Sequence, residues 1–352
     1  MKIRPAQNSN SNAAHKDVAT PALLPCVVTS ALLPCIVTVV LGVTAVSASS
    51  KTQEKILEFP SDTSYGNLSR VIHVNPLETH AERSPLGQAR GKIKVPADAI
   101  IFFEPGPRFF QRPEILNKLP PDSIAYIRMQ FTAMDDNEMQ MSDRAVKYLR
   151  HLTGLLAVDF DRSDTSDVGA AELAGLPNLQ AVSLTGSTVN GTCLKSLSSC
   201  PKLQMLRFGS GQVKDEALRS LSNYKSLKRL VLNRCNLTDA SAQNIAKGKS
   251  IVLLDVSNNP KISDTGLKYL GQLKLDYINL RETGVSIEGV REFVKNRQCR
   301  VVMPRMFSEY SKAQLDEIKK IRGGDIVFDH DHNIKYTDLK TIFGTVDRSR
   351  KK

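Results

Sequence analysis

Three stretches decide the fold: Leu203-Gln-Met-Leu-Arg-Phe208, Leu227-Lys-Arg-Leu-Val-Leu232 and Ile251-Val-Leu-Leu-Asp-Val256. Each begins 24 residues after the one before it and carries apolar residues at its first, fourth and sixth positions. Working outward, the same triplet recurs upstream as Leu155, Val158, Phe160 and as Leu179, Val182, Leu184, and downstream as Leu275, Ile278, Leu280. Six copies in one register mark a stack of structural repeats. A degenerate seventh copy, Ile124, Ile127, Met129, begins 31 residues before Leu155. Its extra length, around residues 133–141, reads as a loop in an atypical terminal repeat.

Within each copy the alternation predicts a short strand, and a helical pattern comes after it. Val189, Val213, Leu237, Ile262 and Val285 each precede a polar start: Asn190, Lys214-Asp215, Thr238-Asp239, Ser263-Asp264 and Ser286. Ser or Thr at such a position caps exposed amides, and an acidic first turn suits the helix dipole. Apolar pairs three residues apart then face inward: Leu194/Leu197, Leu218/Leu221, Ala242/Ile245, Leu267/Leu270 and Val290/Phe293. One strand and one helix cannot bury their own core, but stacked copies can. The expected fold is therefore an α/β solenoid, a curved parallel sheet with short helices on its convex side.

Over about residues 122–303 the pattern resembles the leucine-rich-repeat family, and its V-[TSNK]-D-x-[GA]-L-x-x-L portion resembles the ribonuclease-inhibitor-like or cysteine-containing type found in bacterial repeat proteins. That resemblance implies a buried Asn/Cys ladder. Cys235 falls on it, and the equivalent positions, Ser163, Ser187, Gly211, Asn259 and Thr283, leave the ladder incomplete. It also implies a binding module, recognising its partner through the concave sheet.

Residues 51–121 precede the repeats. Leu68–Val74, Gly91–Val95 and Ala99–Phe103 are short apolar or alternating runs punctuated by Pro and Gly, and predict a small β-rich cap. Parts of this region resemble a segment that precedes repeats in some bacterial proteins, which can also carry a kinase domain. No kinase loop or triplet is present in this chain. Residues 304–352 read as a C-terminal α/β cap and basic tail. Ser311 caps a helix with Leu315, Ile318 and Ile321 on one face, Asp325–Phe328 is a last strand, and Tyr336–Phe343 a closing helix or turn.

Residues 1–50 form a separate segment. Val18–Ser50 contains no charged residue and lies behind Lys2, Arg4 and Lys16, the charge asymmetry that keeps an N-terminus inside and exports the downstream chain. Ala22–Val46 as a helix would span about 37 Å, enough for a membrane anchor. Leu32–Val46 with Val46-Ser-Ala48 at its end equally fits a signal peptide cleaved near Ala48. Both readings place the rest of the chain outside the cytoplasmic membrane.

The 41% hydrophobic and 24% charged composition is that of a globular protein, and 6% aromatics with no Trp suit layers of Leu, Val and Ile. A net charge of +12 allows an anionic partner, but no zinc knuckle, RNA-binding signature or basic zipper points to nucleic acid. Six cysteines without a CxxC pair argue against a structural zinc site. Asp329-His-Asp-His332 reads as a solvated turn, since four adjacent ligands seldom converge on one ion. No GxSxG, HExxH or phosphate-loop motif occurs, so neither catalysis nor a cofactor is expected. Asp159 and Asp161 share a strand face without a partner acid.

What remains is the concave sheet. Its candidate partner-binding residues are Arg128, Asp159, Asp161, Arg207, Arg229, Asn233, Arg234, Asp255, Tyr277 and Arg281. The arginines suit an acidic peptide or anionic polymer, because a guanidinium pairs planar anions with two donors. The bare strand face offers about 400 Å², roughly half of what a standard interface uses per partner, so caps or loops must contribute or the partner is small or extended. The expected function is a non-catalytic, exported protein-binding scaffold. An intracellular effector or ubiquitin-ligase-like substrate adaptor is the alternative, although no F-box-like helical region is evident.

Overall fold

The structure, a computed structural model, describes residues 53–135, 138 and 140–328. The anchor or signal segment, Asp329–His332, Tyr336–Phe343 and the basic tail all lie outside the described residues. Among the described residues no helix is long and apolar enough to cross a membrane.

Each predicted triplet forms a strand: β6 Tyr126–Arg128, β7 Ala157–Asp159, β8 Ala181–Thr185, β9 Met205–Gly209, β10 Arg229–Asn233, β11 Leu253–Asp255 and β12 Tyr277–Asn279. All pair in parallel with their sequence neighbours, and the 24-residue period becomes register: Met205 lies beside Arg229, and Arg229 beside Leu253. The C-terminal region adds β13 Arg300–Val302 and β14 Asp325–Val327, also parallel, with the Ser311-capped helix Lys312–Ile318 between them.

The region before the repeats is more strand-rich than its sequence suggests. It contributes β1 Glu54–Glu58, β2 Gly66–Val71, β3 Arg83–Gln88, β4 Lys92–Pro96 and β5 Ile101–Pro105. β5 pairs in parallel with β6, β2 runs antiparallel beside β5, and β3 antiparallel beside β2, so one sheet runs from β3 to β14. β1 and β4 form a separate antiparallel pair. β3 contains Pro85 and Gly87, which read as strand breakers. It is tolerated because it sits at the sheet's edge, where a residue without an N–H costs little.

The apolar triplets and the helices' paired residues share one core on one side of the sheet. Leu155, Leu179, Leu206, Leu230 and Leu254 are sealed there with Leu197, Leu221, Ile245 and Leu270. Burial of this kind is the main driving force, at roughly 1.5–3 kcal/mol per large side chain.

On the helix side a second ladder ties each repeat to the next. Asp143 accepts from the backbone N–H and hydroxyl of Ser166, Asp239 from those of Ser263, and Asp264 from those of Ser286. Asp167 accepts instead from the amides of Asn190 and Cys193. The acidic first turn therefore does more than favour its own helix dipole. It fixes the serine that caps the next helix. Where Gly191 replaces the aspartate, the short helix Leu194–Leu197 begins late, and its N-cap residue Cys193 makes no side-chain cap.

The buried ladder is carried by one strong rung. Asn259 accepts from the amides of Cys235 and Leu237 and donates to the carbonyls of Leu232, Val256 and Ser257. Ser187 and Thr283 satisfy only the carbonyl three residues behind them.

Candidate protein-binding face

The sheet face opposite the helices carries the candidate residues, and part of it is apolar. The third position of the repeat forms an apolar, buried row of Ala157, Ala181, Met205, Leu253 and Tyr277, clustered with Phe102, Tyr126, Val71 and Leu77. The physical reason is a cover. The connection between β2 and β3, residues 72–82, lies over this face, and Leu77, Glu78 and Thr79 are buried.

That cover captures the central arginines. Glu78 reaches both Arg207, at 3.5 Å, and Arg229, whose guanidinium also donates to the Leu77 carbonyl at 3.1 Å. Arg229 stands in the apolar row itself, and Arg207 is its diagonal neighbour on the adjoining strand. They form a two-guanidinium cradle that holds one carboxylate. The carboxylate that these arginines hold is the chain's own Glu78. Asn75 also bonds through its backbone to Tyr126, whose hydroxyl is pushed up to about 12 chiefly by burial.

The acidic flank is likewise engaged. Asp159, only 1% exposed, accepts from Arg128 at 3.0 Å, and Arg128 continues to Glu104 and from there to Arg83. Arg83 also lies 4.2 Å above the Phe102 ring. His80 at the end of the cover stands 3.5 Å from Asp159, and a ligand atom of each of His80, Asp159 and Asp161 lies within 4.8 Å of the others. This trio has the donor types of a metal centre. However, the Arg128 guanidinium already supplies positive charge at the Asp159 oxygen that faces His80, so a cation there would meet a like charge. The arrangement reads as an ion-pair chain.

Other candidates are tied into the sheet. Asp161 accepts from Ser183 and from the Thr185 amide, and Asn233 donates to Ser257. Asp255 accepts from Ser257 and Asn279, while the Arg281 amide donates to Asn279. Tyr277 is buried.

Arg234 is different. It is exposed and lies in the left-handed region at φ 53°, in a row that recurs at each strand's end: Arg162, Gly186, Ser210, Arg234, Asn258 and Glu282. Each has a positive φ between 53° and 69°, and all but the half-buried Asn258 are exposed. Their place in the repeat assigns Arg234 and its equivalents to the inner face. In the structure they lie just beyond the strand ends, in left-handed turns at the rim of that face.

The cover itself is invisible to sequence reasoning. His73-Val-Asn-Pro-Leu-Glu-Thr-His-Ala81 has no periodicity. Its one indirect signal is an inner face rich in arginine, which needs counter-charge from somewhere.

In comparisons with known proteins, residues 225–246 and 249–271 match the Leucine Rich repeat family. No curated protein sequence matches the chain. Among solved structures, an internalin (inlF) from Listeria monocytogenes aligns over 61% of this chain and 70% of its own length, at 16% identity and a TM-score of 0.39. The two matched repeats coincide with β10 and β11 and their helices, and the same 24-residue frame repeats on either side of them: the fold is a leucine-rich-repeat solenoid.

Proposed function

We propose that the chain is a non-catalytic scaffold that binds a peptide or protein through the helix-free face and its rim, on the exported side of a membrane. One observation carries the reading. A frame of hydrogen-bonded strands carries, at one position repeated every 24 residues, a varied set of residues, of which Arg162, Ser210, Arg234 and Glu282 are exposed side chains. Packing does not dictate these side chains. A fixed frame with varied, exposed chemistry is how a surface recognises a partner without reacting with it.

The test is selection of a displayed linear-peptide library on the intact chain. Enriched peptides should lose about tenfold or more in affinity for the Arg162→Glu/Arg234→Glu variant. Absence of enrichment, or equal binding to that variant, overturns the reading.

Export rests on the uncharged run 18–50 behind Lys2, Arg4 and Lys16. Fractionation with N-terminal sequencing tests it. A mature start near Ser49 supports a cleaved signal, an intact membrane-bound chain supports an anchor, and an intact chain in the cytosol rejects both.

A further inference from the structure

We infer that residues 73–81 act as a built-in stand-in for the ligand of this face, and that the partner displacing them is an extended segment with an aliphatic residue directly before an acidic one. The inference deepens the binding reading above and rests on it.

Three observations carry it. First, the segment is attached like a ligand. Its ends are closed by the bond from the Ile72 amide to the Glu82 carbonyl, at 2.8 Å, directly beyond the Val71–Arg83 pair. Among the described residues, no backbone-to-backbone hydrogen bond joins 73–81 to β6–β14. Its hold on the repeats comes from side chains: Leu77 in the apolar row, Glu78 in the arginine cradle, His80 beside Asp159, with further bonds through the Asn75 and Leu77 backbones. Such a lobe can leave without unpairing the sheet.

Second, the site is built for a charge rather than for a plug. A structural cover gains most from apolar contact, whereas a buried ion pair adds little net stability over an apolar contact of the same size. Arg207 and Arg229 keep side-chain exposures of only 14% and 13% with Glu78 in place. Whatever replaces Glu78 must bring a carboxylate to Arg229, because a shielded guanidinium that loses its ion-pair partner is costly.

Third, the apolar row supplies the other half of the recognition. Leu77 sits in it one residue before Glu78, and the Leu77 carbonyl is read by the same Arg229 that reads Glu78. The partner's order, aliphatic then acidic, comes from that geometry.

The experiment replaces residues 73–81 by Asn-Gly, a two-residue hairpin turn that suits the Ile72–Glu82 closure. The probe is a fluorescent synthetic peptide, His-Val-Asn-Pro-Leu-Glu-Thr-His-Ala. The hairpin variant should bind it about tenfold or more tightly than the unaltered chain does. Binding should fall by about tenfold when the peptide's Glu becomes Gln or its Leu becomes Ala, and likewise when Arg207→Ala and Arg229→Ala are added to the variant. Equal binding by the unaltered chain and a folded hairpin variant overturns the inference, as does indifference to the peptide's carboxylate. Should the hairpin variant not fold, Glu78→Gln in the full chain serves instead. It must raise peptide binding and speed amide exchange in 73–81, and no change in either is a refutation. If the nonapeptide probe fails while library-selected peptides still bind every variant, the scaffold reading stands and this one alone is removed.

Discussion

A Cβ on Gly289 would lie 2.5 Å from Cγ of Asp264 and closer still to its Oδ1. The Asp264 carboxylate cannot step aside freely, because it holds the amide and hydroxyl of Ser286 at 2.8 and 2.7 Å. The glycine of one repeat is therefore set by the aspartate of the repeat before it. The same relationship joins Gly169 to Asp143 and Gly266 to Asp239.

This inverts a common expectation. Gly→Ala inside a helix ordinarily stabilises by about 0.5–1 kcal/mol. Gly289→Ala should instead destabilise by about 1–2 kcal/mol, since the methyl displaces Asp264 from its two bonds. Urea unfolding measures it, and Asp264→Ala in the same chain should make the substitution favourable again. A stabilising Gly289→Ala alone would show that the carboxylate relaxes without cost.

Asn259 offers a second measurement. It is fully buried and makes five bonds to backbone groups of two successive repeats. Asn259→Ala strands two amides and leaves three carbonyls short of a donor, and should cost about 2–4 kcal/mol. Ser187→Ala, which removes one bond to the Leu184 carbonyl, should cost about 1 kcal/mol. Paired urea titrations compare the two, and equal losses would contradict the ranking.

Alkaline pH should unfold the chain through its thiols. Burial pushes Cys235 and Cys299 up to about 12 and raises Cys193 and Cys200 as well. In the unfolded chain each ionises near 9. Below that pH both states hold the proton and the contribution is fully present. As pH rises from about 9 towards 12 only the unfolded state loses it, so stability falls by on the order of 1.4 kcal/mol per unit for each such thiol. Tyr126, up to about 12, adds to the fall above about 10. Urea midpoints between pH 8 and 11 should decline, less so in Cys235→Ala. A flat profile would mean the thiols are open to solvent.

The repeat frame is legible in the sequence because it is written locally. A 24-residue register of Leu, Val and Ile fixes which side of each strand is buried, and Ser263-Asp264 announces a helix start within two residues. The inner face is only half legible. That Arg207 and Arg229 share it comes from strand alternation, but their carboxylate partner lies 129 and 151 residues away, in a connection with no pattern of its own. Asp159 looks like an exposed strand residue for the same reason, since Arg128 and His80 reach it from elements 31 and 79 residues earlier. Nor does the sequence show the left-handed turns. Arg162 and Glu282 carry none of the glycine signal that makes Gly186 readable.

Those turns supply the last test, because they set stability against recognition. A side chain in the left-handed region costs about 1 kcal/mol relative to glycine, partly offset by the greater freedom of glycine in the unfolded chain. Arg234 sits there at φ 53°, exposed to solvent. Arg234→Gly should therefore raise stability by about 0.5 kcal/mol, visible as a higher urea midpoint, while peptides selected on the intact chain bind it more weakly. Arg229→Ala should instead lower stability, by about 2 kcal/mol, because Glu78 stays buried with half its cradle gone. If Arg234→Gly is stabilising and costs nothing in peptide binding, the rim is a structural turn and not a recognition surface.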